Sequence, residues 1–269
     1  MNKTLKLITV AAVIALLCGC SSSPKDQGVS ISYEEYTLDN GLKVILHEDH
    51  SDPIVAQAIA FHVGSAREKE GKTGFAHFFE HMLFQRSENL PRNSFFTKIA
   101  EMGGNFNGGT SNDYTIYFES VPRNALEKIL WMESDRMGYF INTVTQPGLE
   151  REIDVICNEK RQTEVNNAYG MMNDIMSKAL FPHRHPYSWT VIGEFDDIKS
   201  ATIEDVKEFY RTYYVPSNAT LCIAGDFDPV ETKALIEKYF AEIPSHPVEK
   251  PQVWNISLDQ TKKLYYEDQ

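Results

Sequence analysis

The sequence is short of cysteine, short of basic charge and short of long apolar runs, and each shortage removes a class of protein. Four cysteines in 269 residues are too few for a disulfide scaffold, and two of them, Cys18 and Cys20, stand in the N-terminal leader. The other two, Cys157 and Cys222, are compatible with one disulfide in an oxidising compartment or with two free thiols; spacing alone decides neither. Twenty-six Lys and Arg face 38 Asp and Glu, a net charge of −12, which argues against nucleic acid as a partner. The longest apolar stretch, Leu7 to Leu17, falls well short of the roughly 20 residues that a membrane-spanning helix needs. The glycines Gly103, Gly104, Gly108 and Gly109 are not followed by Lys-Ser/Thr, so they form no phosphate loop and read as turn or close-packing positions.

What is present begins with that leader. Residues 1–19 join Lys3 and Lys6 to the apolar stretch and contain no acid, the pattern of a secretory signal peptide. Leu17-Cys18-Gly19-Cys20 resembles a bacterial lipobox, which makes Cys20 the expected lipidated first residue and the membrane a partner through that lipid. Ser21 after it resembles the signal for the outer membrane, and residues 20–30, rich in Ser, Pro, Lys and Gly, read as a tether. The expected location is the bacterial cell envelope, facing the periplasm. Residues 31–243 read as one α/β domain. Pro244, Pro247 and Pro251 mark 244–269 as a linker followed by the start of a further element, with a strand expected near 264–266.

The body of the chain mixes both periods. Residues 36–46, divided by Asn40-Gly41, predict a hairpin. Strands are expected at 55–63, 114–118 and 219–225, and helices at 74–84, 93–102, 124–137, 147–166, 202–213 and 229–241. Thr202 and Asp205 suit a capping box at the start of one of them. His183 and His185, flanking Arg184 beside prolines, read as a surface loop.

One helix carries unusual freight. In Gly74-Phe75-Ala76-His77-Phe78-Phe79-Glu80-His81-Met82-Leu83-Phe84 two histidines lie four apart, so both imidazoles project from one face and can address one metal ion. Glu80 lies one turn from His77, within reach of a water on such an ion. The bland alternative is a core helix packed by Phe75, Phe78, Phe79, Met82 and Leu83, its histidines simply hydrogen-bonded. A second helix weighs against it. Glu152 and Glu159, seven apart, fall at the edge of the apolar stripe of Leu149, Ile153 and Ile156, where two carboxylates are costly unless something positive meets them.

His77-Phe78-Phe79-Glu80-His81, with Glu159 following 78 residues after His81, resembles the inverted His-x-x-Glu-His motif of the pitrilysin/insulinase family of zinc peptidases, which includes the mitochondrial processing peptidases. The resemblance extends through Leu38-Asp39-Asn40-Gly41-Leu42-Lys43-Val44, the run from Gly103 to Ser111, Tyr114 to Phe118, Phe181 to Tyr187 and Ile223 to Phe227. It implies an α+β fold, a largely antiparallel sheet with helices packed on it. It implies one Zn2+ per chain held by His77, His81 and Glu159, Glu80 as general base and Glu152 as an outer group orienting a histidine. By the same resemblance Asn107, Tyr114, Thr115 and Tyr117 are expected to meet a peptide substrate, with the 114–118 strand as the sheet edge that the peptide extends. The expected activity is endopeptidase cleavage of short or unfolded peptides. The alternative is a non-catalytic peptide-binding or assembly subunit. Family members pair similar domains in a clamshell, so a partner domain, or a homo- or heterodimer, is expected to complete the site.

Overall fold

A computed structural model describes residues 30–258 and 260–267. The leader, Cys20 and the tether through residue 29 lie outside the described residues. Six strands form one sheet: β1 (Glu34–Thr37), β2 (Lys43–Glu48), β3 (Ile54–Phe61), β4 (Asn105–Thr110), β5 (Thr115–Pro122) and β6 (Ala219–Gly225), in the spatial order β1-β2-β6-β3-β5-β4. Every pairing is antiparallel except β2 with β6, which run parallel. The eight helices among the described residues are α1 (Phe75–Gln85), α2 (Ser94–Glu101), α3 (Leu126–Tyr139), α4 (Gln146–Lys160), α5 (Met172–Leu180), α6 (Phe195–Lys199), α7 (Ile203–Tyr213) and α8 (Pro229–Phe240). The sheet is therefore largely antiparallel and the class α+β, as expected from the sequence.

Strand alternation decides what the sheet buries. Val55, Ile59 and Phe61 of β3, Tyr117 and Val121 of β5, and Leu221 and Ile223 of β6 are all buried. The apolar side of α1 meets this core through Phe79, whose ring centroid lies 5.1 Å from Tyr214, 5.4 Å from Phe209, 6.1 Å from Tyr210 and 6.2 Å from Phe140. Burying such a ring is worth about 2–3 kcal/mol, so α1 is fixed by its greasy face and its other face is free for chemistry. On α3 the buried Arg136 pairs with Glu133 and with Glu119 of β5, and its guanidinium lies 4.2 Å over the ring of Tyr117, tying that helix to the sheet.

Several elements depart from the sequence reading. The Asn40-Gly41 turn is wider than a two-residue hairpin loop, because the Asn40 amide donates to the carbonyls of Phe240 and Ile243 and so ties the turn to the end of α8. Gly103 and Gly104 lie in the turn before β4, and Gly108 and Gly109, read from the sequence as turn or close-packing positions, lie within that strand. A side chain at Gly108 would come within 2.8 Å of the Phe84 ring, so glycine is what allows this strand to lie over α1. Helix 147–166 stops as an α-helix at Lys160 and continues as a single π-turn, 161–165. The short helices α5 and α6 had no counterpart in the sequence reading, and no strand forms near 264–266 among the described residues. The Thr202–Asp205 capping box is present. Cys157 and Cys222 are free thiols, and no described helix is long and apolar enough to cross a membrane.

Candidate metal centre and catalytic cleft

His77 and His81 stand one turn apart on α1 with ring centroids 4.7 Å apart. Helix α4, opened by Pro147 in its first turn, runs alongside and turns Glu152 and Glu159, two turns apart, toward them. His77 Nε2 lies 3.7 Å from Glu159 Oε1, and His81 Nε2 lies 3.3 Å from Glu159 Oε2. One ligand atom from each of the three side chains falls within 4.8 Å of the others, and this is the sole such grouping among the described residues. The first separation is too long for a hydrogen bond. The second matches the edge of a tetrahedron whose metal–ligand bonds are about 2.0–2.2 Å, an edge of roughly 3.3–3.6 Å, and the first, to the other carboxylate oxygen, lies just beyond it. The donor set, two imidazoles and a carboxylate with room for a fourth ligand, suits a catalytic zinc ion.

The electrostatics fit the same geometry. Burial, reinforced by the charge of His81, pushes His77 down to about 4 and keeps its imidazole neutral. For His81 burial pulls downward, but the hydrogen bond it donates to Glu159 and the charges of Glu159, Glu80 and Glu152 prevail and raise it. That His81 contact holds Glu159 below the usual carboxylate range. Glu152, buried and raised by that burial, points Oε2 at His81 Nδ1 from 3.9 Å. That distance exceeds a hydrogen bond, and Glu152 Oε2 and His77 Nδ1 are both buried without a hydrogen-bond partner.

Glu80 faces the same cleft, and burial raises its carboxyl. Thr110, the last residue of β4, donates its hydroxyl to Glu80 Oε2 at 2.6 Å. Nothing in the local sequence marks a threonine after two glycines as the partner of a residue 30 positions earlier. A cavity of about 620 Å³ opens on His77, Glu80 and Glu159, with Thr110, Met176 and Trp189 among its walls.

The expected substrate contacts need correction. Strand β5 is not the edge: it is paired on one side with β3 and on the other with β4, so its ladder has no free side for a peptide. Thr115 and Tyr117 point into the core with no exposed surface, Thr115 donating to the Val63 carbonyl and Tyr117 to that of Phe79. Tyr114 precedes the strand, in the turn, and is exposed. The edge strand next to β5 is β4, which carries the exposed Asn107; β1 forms the opposite edge of the sheet. His185 is buried rather than on a surface loop, stacked on Phe181 and accepting the Tyr187 N–H at Nδ1. His183 stays exposed, 3.5 Å from Glu70.

Comparison with known proteins came to the same architecture. Residues 43–185 match the insulinase family, peptidase family M16, and residues 200–268 match the peptidase M16 inactive domain. A zinc protease of Helicobacter pylori, PqqE, is 30% identical over 239 residues, which is 88% of this chain and 53% of that protein. A probable zinc protease of Escherichia coli, PqqL, is 28% identical over 81% of this chain and 24% of its own length. The crystal structure of a protease from H. pylori superposes with a TM-score of 0.78 at 30% identity, covering 84% of this chain and 54% of that one. That of the periplasmic protease PqqL from E. coli gives 0.77 at 25% identity, covering 86% and 26%. The chain thus spans about half or less of the length of these relatives.

Proposed function

Because this chain belongs to the insulinase family of peptidases, family M16, we propose that it carries the metal-binding and proton-transfer groups of a zinc endopeptidase acting on short or unfolded peptides. The observation that carries the reading is the convergence of His77, His81 and Glu159 on one point beside Glu80. When bound, zinc supplies two things, an acidified water and polarisation of a peptide carbonyl.

The chain's own residues do the rest. His77 is neutral by burial and so needs no deprotonation to act as a ligand. Glu152 faces the outer nitrogen of His81 and, closing a short gap, would hold that ring in register. Glu80, one oxygen held by Thr110, keeps the other free to accept a proton from water and return it to the leaving amine. The free edge of β4 offers main-chain groups along which an extended peptide would align past these residues, with Asn107 on the same strand. Anchorage through Cys20 in the cell envelope and completion of the cleft by a partner domain or second chain belong to the same proposal; the E. coli relative is a periplasmic protease.

Metal titration tests the reading. The full-length protein is expected to take up one zinc per chain, and chelation to remove cleavage of an unstructured peptide that added zinc restores. Since His81 is raised, zinc must displace its proton, so affinity should climb by up to tenfold per pH unit below that pKa and level off above it. No zinc uptake by a folded chain would end the proposal. Zinc uptake without cleavage, alone or with a partner domain, would favour the peptide-binding subunit.

Thr110→Val gives a second check. It keeps the shape but deletes the donor to Glu80, and the loss of one hydrogen bond to a charged group should cost roughly tenfold in kcat. That donor lowers the Glu80 pKa, so the acid limb of the rate profile should move to higher pH. An unchanged profile would remove Thr110 from the mechanism.

A further inference from the structure

Helix α1 begins in a way that its own residues cannot stabilise. The first N–H groups of a helix lack internal partners and are usually met by a Ser, Thr, Asp or Asn at the N-cap. Here the N-cap is Gly74, at φ +88° and with no side chain to offer. A Cβ at Gly74 would lie 2.7 Å from the Ile192 carbonyl oxygen, and one at the facing Gly193 would lie 2.4 Å from the Gly74 nitrogen. The backbone at 192–193 is packed so closely on the start of α1 that no capping side chain fits.

The cap comes from elsewhere. Glu68, which closes the short 3-10 turn Ser65–Arg67, is buried and reaches under the helix. Its Oε2 accepts the Gly74 N–H at 2.9 Å and its Oε1 accepts the Ala76 N–H at 2.8 Å. Burial pushes the Glu68 carboxyl up to about 8 against the lowering effect of these N–H bonds, and its ionised form complements the helix dipole. Two bonds from one rigid group to N–H groups two residues apart fix both the height and the rotation of the first turn, and the residue after Ala76 is His77.

The turn that bears Glu68 is itself tied down. Ser65 N–H donates to the Ser111 carbonyl at 3.2 Å, Ala66 N–H to that of Asn112 at 2.8 Å, and the Trp189 indole to the Ser65 carbonyl at 3.1 Å. Ser111 and Asn112 directly follow Thr110, the residue that holds Glu80. We propose that Glu68 is a positioning residue: through the first turn of α1 it sets His77 in register with His81 and Glu159, referenced to the same strand end that holds Glu80. This rests on the reading of those three side chains as a zinc site.

The test compares the full-length chain with Glu68→Ala, Glu68→Gln and Phe240→Ala, the last a buried core truncation on α8. Zinc affinity is read by chelator competition, amide exchange at residues 74–78 by NMR, and Tm by melting. Glu68→Ala should weaken zinc about tenfold or more and speed exchange at Ala76, the size of effect seen when an outer support of a ligand is lost. Glu68→Gln, keeping the shape and one acceptor oxygen, should recover part of both. Phe240→Ala should lower Tm while leaving zinc affinity and Ala76 exchange unchanged. Wild-type affinity in folded Glu68→Ala, or an equal loss in Phe240→Ala, would overturn the proposal. Should Glu68→Ala not fold, Glu68→Gln decides: full wild-type affinity and exchange there overturn it. If the wild type takes up no zinc, the metal reading fails, and unchanged Ala76 exchange in the Glu68 variants would overturn the positioning role separately.

Discussion

Glu80→Gln is expected to leave one zinc per chain and to lower kcat for peptide hydrolysis by about 10³-fold, within the 10²–10⁴ range of a lost general base. Glutamine has the same shape, and its carbonyl oxygen can still accept the Thr110 hydroxyl. What then faces the cleft is an amide NH2, which donates and cannot take a proton from water. Glu80 is also absent from the group of side chains that converge for metal binding, so affinity should hold. Zinc content and single-turnover cleavage of a fluorogenic peptide, measured on the same preparation, separate the two roles. Retained turnover would assign the base elsewhere, and lost zinc would mean that Glu80 is a ligand.

Glu159→Gln should do the reverse and empty the site. If a structural zinc is worth about 12 kcal/mol shared over four ligands, one ligand accounts for roughly 3 kcal/mol, two to three powers of ten in Kd. The substitution removes more than a ligand oxygen. Glu159 is the first of the partners that raise His81 and the group that both imidazoles face, so without its charge the two rings lose their common focus. Chelator competition on the two proteins gives the ratio. A Kd within a factor of three of wild type would take Glu159 out of the ligand set.

The helical part of this site was legible because it is written locally. Histidines four apart and glutamates seven apart report their faces through helix geometry alone, and a periodic apolar stripe sets which face is buried. The strand part was misread for a reason that is also local. The resemblance makes Tyr114 to Phe118 the sheet edge, and its run of apolar and β-branched residues marks a strand without telling how many neighbours it has; β5 is paired with both β3 and β4. The edge strand beside it, β4, was hidden because glycines that usually end a strand here make room for Phe84. Thr110 and Glu68 could not be found at all by pattern. Their partners lie 30, 6 and 8 residues away, across turns whose geometry only the fold supplies.

The single parallel pairing has a consequence for how the molecule is made. β6 lies between β2 and β3, so the strands formed early in the chain compose two separate pieces, β1–β2 and β3–β5–β4, with an empty lane between them. Residues 219–225 fill that lane, and their partners in β2 precede them by about 180 positions. Such distant contacts slow folding, because a long loop must close before they form. All three metal-facing side chains and Glu80 are synthesised before the lane is filled. A chain emerging in order therefore carries the whole chemistry of the cleft while its sheet is still in halves, and assembly of the scaffold waits on a strand that itself contributes nothing to the site.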